Sequence, residues 1–174
     1  MLLLVKPQMK YHRHYLNMLQ AWDKIGEKPQ TWVLQQNHSN FRALVNKLEQ
    51  LSRGTNIPPI YVPSTTFWVY DDEINLLIGA VNIRHRLNEN LLAYWGHIGY
   101  EVRPDRRRQG YATQILKLAL EVCQQIGLEK VLLGCYKENT ASAKTILKNG
   151  GVLENEVLEP SSGKMIQRYW ITIT

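Results

Sequence analysis

The chain has 174 residues, 44% of them apolar and 21% charged, with a mean hydropathy of −0.32. That composition excludes disorder and collagen-like structure and supplies a core without disulfides or a structural metal. The formal charge of +6, from 21 Lys and Arg against 15 Asp and Glu, favours an anionic partner without saying whether it is nucleic acid, a membrane surface or a phosphorylated small molecule. The longest aliphatic run, Leu2 to Val5, is too short for a bilayer span or a signal-peptide core, so no membrane association and a cytoplasmic location are expected. Cys123 and Cys135 lie in apolar runs and read as small core residues. No Cys or His pairs stand at finger spacing, and His12-x-His14 falls in a helical stretch that would turn the two rings to different faces, so no metal is expected.

Leu2 to Val5 reads as a short strand ended by Lys6-Pro7. A helix over 10–24 carries Tyr11, Tyr15, Met18, Leu19 and Trp22 at helical spacing, and Gly26 and Pro29 make the stretch up to 38 irregular. Ser39 caps a second helix to Arg53, with Phe41, Leu44, Val45, Leu48 and Leu51 on its buried face, and Gly54 stops it. Pro58, Pro59 and Pro63 mark an ordered loop. The period then changes to two: strands at 66–70 and 76–84, a turn at Asn88-Glu89-Asn90, and a long strand from Leu91 to Val102. A helix over 110–126 buries Ala112, Ile115, Ala119, Val122 and Ile126, and 131–135 is an apolar strand of the kind buried on both faces. Asn139 or Thr140 caps a last helix ending at Gly150-Gly151, and strands at 152–159 and 165–173 form a closing hairpin. The order implies a compact α/β domain with a strand–helix–strand unit inside a mixed sheet.

The segment from Ile98 to Thr113 runs from a strand through an Arg-rich turn into a helix beginning near Gly110. The first amides of a helix lack internal partners and carry partial positive charge, which suits a pyrophosphate. Gly110 leaves room for close backbone approach, Ala112 stays small, and Arg107 and Arg108 add charge. Neither a Gly-x-Gly-x-x-Gly nor a Gly-x-x-x-x-Gly-Lys-Ser/Thr pattern is present.

Arg107-Arg-Gln-Gly110-Tyr-Ala112 resembles the Arg/Gln-x-x-Gly-x-Gly/Ala motif of the GNAT superfamily of N-acetyltransferases. Asn139, Ser142 and Lys148-Asn-Gly150, after an apolar strand, resemble that family's later coenzyme A contact region. The resemblance covers residues 66–173 well and residues before them only in element order. It implies one domain over 1–174, with 1–65 on the acceptor side and 66–174 as the coenzyme A-binding core. The fold it implies is a mixed, twisted, mostly antiparallel sheet flanked by helices, of α/β or α+β class, whose central strands ending at Val102 and Cys135 splay apart. Acetyl-coenzyme A would lie in that cleft, with amides of Arg107, Arg108, Gln109, Gly110, Tyr111, Ala112 and Thr113 on its pyrophosphate and Asn139 and Ser142 nearby. The backbone of Tyr100 to Val102 would pair with the pantetheine arm, and the Val102 amide would polarise the thioester carbonyl.

An attacking amine must lose a proton, so a base or a water chain is required. Period two puts Trp95, His97, Gly99 and Glu101 on one face and Ile98, Tyr100 and Val102 on the other, unless a bulge resets the register. Glu101 is the first candidate base, against a solvated carboxylate pairing with arginines. His97 is a second, against a hydrogen-bonded core histidine. The position of the family's usual Tyr acid holds Ile146, which leaves Tyr136 or water to protonate the thiolate. Arg84, His85, Arg86 and Glu89 read as turn residues in preference to an acceptor-selecting group. Trp22, Trp32, Trp68 and Tyr61 read as core or loop anchors. A non-catalytic coenzyme A sensor is an alternative. A nucleic-acid binder is another, disfavoured because the arginines crowd one turn without interleaved aromatics. The acceptor is a small-molecule or peptide amine of unspecified identity, and the last hairpin offers edges for a homodimer.

Overall fold

The computed structural model describes residues 1–173; Thr174, at the end of the expected domain, lies outside the described residues. Strand β1 (Leu2–Val5) precedes helices α1 (His12–Asp23) and α2 (Phe41–Arg53). Strands β2 (Ser64–Asp71), β3 (Leu76–Arg84) and β4 (Ile98–Val102) follow, then α3 (Tyr111–Gln125), β5 (Lys130–Tyr136), α4 (Thr140–Lys148), β6 (Val152–Glu159) and β7 (Lys164–Thr172). The strands form two antiparallel sheets, ordered β1-β2-β3-β4 and β5-β7-β6, so the β4–α3–β5 unit crosses from one sheet to the other.

The four-stranded sheet is covered on both faces. Tyr15, Met18 and Trp22 of α1 and Phe41, Leu44 and Leu48 of α2 pack against Trp68, Leu77 and Ala80. On the opposite face Val69, Val81 and Ile83 meet Ile115, Leu116 and Ala119 of α3. Each Val, Leu, Ile, Phe or Met among them contributes about 1.5–3 kcal/mol on burial, so β3 is held from both sides and becomes the fixed reference for β4. The α3 stripe is rotated from the expected one: Leu116 and Cys123 are buried, while Ile126, at the C-cap, is exposed. The cap of α2 is Asn40, whose Oδ1 accepts from the Ala43 N–H at 3.0 Å. Ser39 instead donates its N–H to Asn37 Oδ1 and belongs to the preceding turn.

The expected long strand from Leu91 to Val102 is two elements. Leu91–Trp95 is a π-helical turn, opened by Asn88 Oδ1 accepting the Leu91 N–H and closed by the Gly96 N–H on Leu91 O at 2.7 Å. The turn lies directly on β5, because a Cβ at Gly134 would stand 1.7 Å from the Tyr94 carbonyl oxygen. The local pattern of 91–102 carries no trace of this, since the permissive residue sits in another strand. At the other side of the second sheet β6 is the edge strand of the closing hairpin, with Val152, Leu153 and Leu158 exposed.

Replacing Gly134 by Ala forces the turn off β5. Overpacking of this kind costs about 1–3 kcal/mol, and urea denaturation should show that loss; an unchanged midpoint would contradict the close approach.

Candidate functional site

Strands β4 and β5 meet at one point. The His97 N–H donates to Leu132 O at 2.7 Å, and the Leu132 N–H donates to His97 Nδ1 at 3.0 Å, beside a bridge between Gly96 and Leu133. Past this junction the strands part and a gap opens toward Val102 and Tyr136. His97 is 7% exposed, and burial, reinforced by the Arg84 guanidinium, lowers its pKa to about 4. An Nδ1 that accepts a hydrogen bond carries no proton, so the ring is neutral and structural in this arrangement. It stands at the junction, outside the lining of the cavity described below.

The backbone of β4 follows from its ladder with β3. Arg84 N–H bonds His97 O and Arg103 N–H bonds Ile78 O, both at 2.8 Å, and they bracket an uninterrupted antiparallel register. Alternate residues bond in such a ladder, so Gly99 and Glu101 spend their backbone groups on β3. Those of Ile98, Tyr100 and Val102 point into the gap. The side chains alternate likewise: Val102 and Tyr100 face α3 and α4, and Glu101 faces the segment between α1 and α2. Trp95 drops out of the alternation because it lies in the π-helical turn, whereas His97, opposite Arg84, continues the β3 register.

Two helices begin at the open end of the gap. No side chain caps α3, and its first hydrogen bond runs from Gln114 N–H to Gly110 O, which leaves the Tyr111, Ala112 and Thr113 amides without helical partners. Gly110 has φ +83°, a value L side chains rarely adopt, and open space where a Cβ would be. The neighbouring arginines do different work. Arg103 is buried and bonds Asp105, Asn17 Oδ1 and Leu77 O. Arg107 reaches Glu27 at 3.1 Å, Gln109 leans on Asp105 O at 3.4 Å, and Arg108 is exposed with φ +62°. Asn139 caps α4 by accepting the Ser142 N–H at 3.1 Å. Ser142 Oγ lies 3.2 Å from the Tyr100 hydroxyl, which burial pushes up to about 12, so this pair crosses the gap. Asn149 donates to Thr113 O and Thr145 O, tying α4 to the first turn of α3. Only its place beside Gly150 marked it in the sequence.

The gap continues into a cavity of about 820 Å³. Tyr100, Gly134, Cys135, Tyr136 and Ser142 line one side; Thr31, Trp32, Tyr61, Asn82 and Arg84 line the other. Trp22 and Trp68 are core residues, as expected, whereas Trp32 and Tyr61, with ring centroids 5.4 Å apart, wall the cavity. Arg84 likewise is a cavity residue, contrary to its reading as a solvent-facing turn residue. Tyr136 packs edge-on against Trp95 at 5.4 Å, with the Lys164 ammonium over its ring. Glu101 Oε2 accepts the Gln30 and Thr31 N–H groups, both at 2.8 Å, and so fixes the loop that forms the second wall. Among the described residues no Asp, Glu or His lines the cavity, and no helix is long and apolar enough to cross a membrane.

The sequence model described as Acetyltransferase (GNAT) domain matches residues 2–152. No curated protein matches the chain. Among solved structures, the microcin C7 self-immunity acetyltransferase MccE, in complex with acetyl-CoA and AMP, is similar with a TM-score of 0.70 at 17% identity, over 99% of this chain and 92% of that one. The ribosomal-protein-S5-alanine acetyltransferase of Vibrio fischeri has a TM-score of 0.69 at 14% identity, over 99% and 92%. The dodecameric spermidine N-acetyltransferase of Vibrio cholerae has a TM-score of 0.65 at 19% identity, over 98% and 93%. At these identities the likeness is one of fold.

The neutral His97 makes stability depend on pH. With a folded pKa near 4 against 6.5 unfolded, the unfolded chain binds the proton first as pH falls. The contribution of His97 is therefore full above pH 6.5 and is lost on the way down to 4, by about 2 kcal/mol between pH 7 and 5. His97→Asn, whose Oδ1 can accept the Leu132 N–H, should lose less stability over that range by about this amount. Parallel urea curves at the two pH values would show equal losses if the junction did not hold a neutral ring.

Proposed function

The chain belongs to the GNAT acetyltransferase family, and from that premise we propose that it transfers an acetyl group from acetyl-coenzyme A to a primary amine within a ternary complex. The observation that carries this reading is an uncapped helix N-terminus, at α3, beside a strand edge whose Tyr100 and Val102 amides point into an open gap. The residues present fit such a ligand. The amides of Tyr111 to Thr113 and the exposed Arg108 suit a pyrophosphate, and the vacant space at Gly110 allows its approach. The β4 edge suits the amide-bearing pantetheine arm, with Asn139 and Ser142 across the gap.

When bound, the thioester supplies an activated acyl carbon: the amine nitrogen bonds to it, the carbon–sulfur bond breaks, and the sulfur leaves as a thiolate that takes up a proton. The Val102 amide would stabilise the carbonyl oxygen as it gains charge, and one fixed donor of this kind is often worth ~3–4 kcal/mol. Glu101 is the carboxylate on the acceptor face of β4. With Oε2 engaged by the 30–31 loop, Oε1 would take the amine proton through water. Ile146 is buried in the cavity wall and offers no proton, and Tyr136, which lines the cavity, would return one to sulfur in place of water. His97 stays with the scaffold.

Calorimetric titration with acetyl-coenzyme A should give micromolar-range binding to the wild type and loss of binding in Gly110→Glu, which adds a strained backbone and a negative charge at the turn. No binding by the folded wild type would overturn the reading. In pH–rate profiles, Glu101→Gln should depress turnover most at low pH, whereas a uniform rise in acceptor KM would reduce Glu101 to a loop anchor; full activity in Tyr136→Phe would assign the second proton to water.

A further inference from the structure

Arg84 ends β3 and turns its guanidinium over Gly99 of β4. A Cβ at Gly99 would lie 3.5 Å from Nη2 and 3.7 Å from Nη1. Nη1 donates to Gly96 O at 3.1 Å. A guanidinium has five N–H donors in a rigid fork, and Arg84 lines the cavity. Among the described residues no carboxylate stands within ion-pair distance of it. Four other arginines are ion-paired, Arg53 with Glu49, Arg103 with Asp105, Arg107 with Glu27 and Arg168 with Glu154. Among the described residues Arg13, Arg42, Arg86 and Arg108 are unpaired but exposed, and Arg106 is unpaired at the α3 turn; Arg84 is the partly buried, unpaired arginine that lines the cavity.

The surroundings offer no counter-charge. His97, next to it, is neutral, and Asn82, whose amide nitrogen donates to Ser64 and Thr66, is neutral as well. Burial lowers the pKa of Arg84 only to about 10, so the group is charged at neutral pH. A cation removed from water without a counter-charge is costly, and the cost is recovered when an anion arrives. Gly99 carries no side chain to block that anion, which would meet two parallel N–H donors.

Resting on the acetyl-transfer reading, we propose that Arg84 selects the acceptor and that the acceptor is a small amine that also bears an anionic oxygen group, carboxylate or phosphate. Gly99 lies three residues before Val102 on β4, so the anion and the reacting carbonyl are held along one strand. A polyamine fits poorly, because its second ammonium would meet Arg84 and find no carboxylate on the cavity wall.

The test is calorimetry with acetylated ligands, titrated into the protein with and without coenzyme A: N-acetylglycine, N-acetylethanolamine phosphate, N-acetylglycinamide and N-acetylputrescine. One of the two anionic ligands should bind about 10-fold or more tighter than the amide, and which one does so separates carboxylate from phosphate. Arg84→Gln should erase that preference, and Arg84→Lys, which keeps the charge but loses the fork, should retain part of it. The proposal is overturned if the amide or acetylputrescine binds as tightly as the anions, if no ligand binds, or if the preference survives in Arg84→Gln. Failure of coenzyme A itself to bind would overturn the acetyl-transfer reading instead, with the anion comparison still readable in its absence.

Discussion

Two hydrogen bonds between His97 and Leu132 join the sheets at one end, and the gap exists because they are where the pairing stops. In a continued ladder the Leu132 amide would bond a strand carbonyl. Here the His97 ring takes that amide, β4 and β5 are released, and the Tyr100 and Val102 amides are left facing open space. The π-helical turn before Gly96 has the same consequence from the other side. It places the chain against β5 at Gly134 and then delivers it into β4, so the pairing is made by Gly96 and His97, just ahead of β4, with the middle of β5. A neutral ring is required for this, and its burial beside Arg84 ensures it.

The charged side chains around the gap divide their work by burial. Arg103 is spent on structure, holding the end of β4 to α1 and to β3 through Asn17 and Leu77. Arg107 and Glu27 form an exposed pair, which adds little stability but tethers the α3 turn to the segment after α1. Glu101 does comparable positioning on the other face of β4, where two backbone amides converge on one carboxylate oxygen. Arg108 at the α3 turn is exposed and Arg84 lines the cavity, and neither has a carboxylate partner among the described residues.

The geometry of the α3 turn was legible in the sequence because its signals are local. A strand, a turn with Gly110 and an uncapped helix lie in consecutive residues, and Asn139 caps α4 by a bond to Ser142 three residues on. The far wall of the cavity was not. Trp32, Tyr61 and Arg84 come from a loop after α1, a proline-rich loop and the end of β3, and no periodicity links them. Each reads alone as an anchor or a turn residue. The long strand through Leu91 failed for a related reason: alternation of residue type cannot register a glycine in a strand that pairs later.

By itself the sequence determined the order of the strands and helices, the turn from Arg107 into the uncapped α3 helix and the alternation that sends Tyr100 and Val102 one way and Glu101 the other. These follow from backbone sterics and hydrophobic period, which act between near neighbours. Only the tertiary structure decided that His97 is a junction, that Glu101 holds a loop and that Arg84 stands uncompensated in the cavity. Those roles depend on which distant groups occupy the space around each side chain, because the partner and the burial decide what a charge or a ring does.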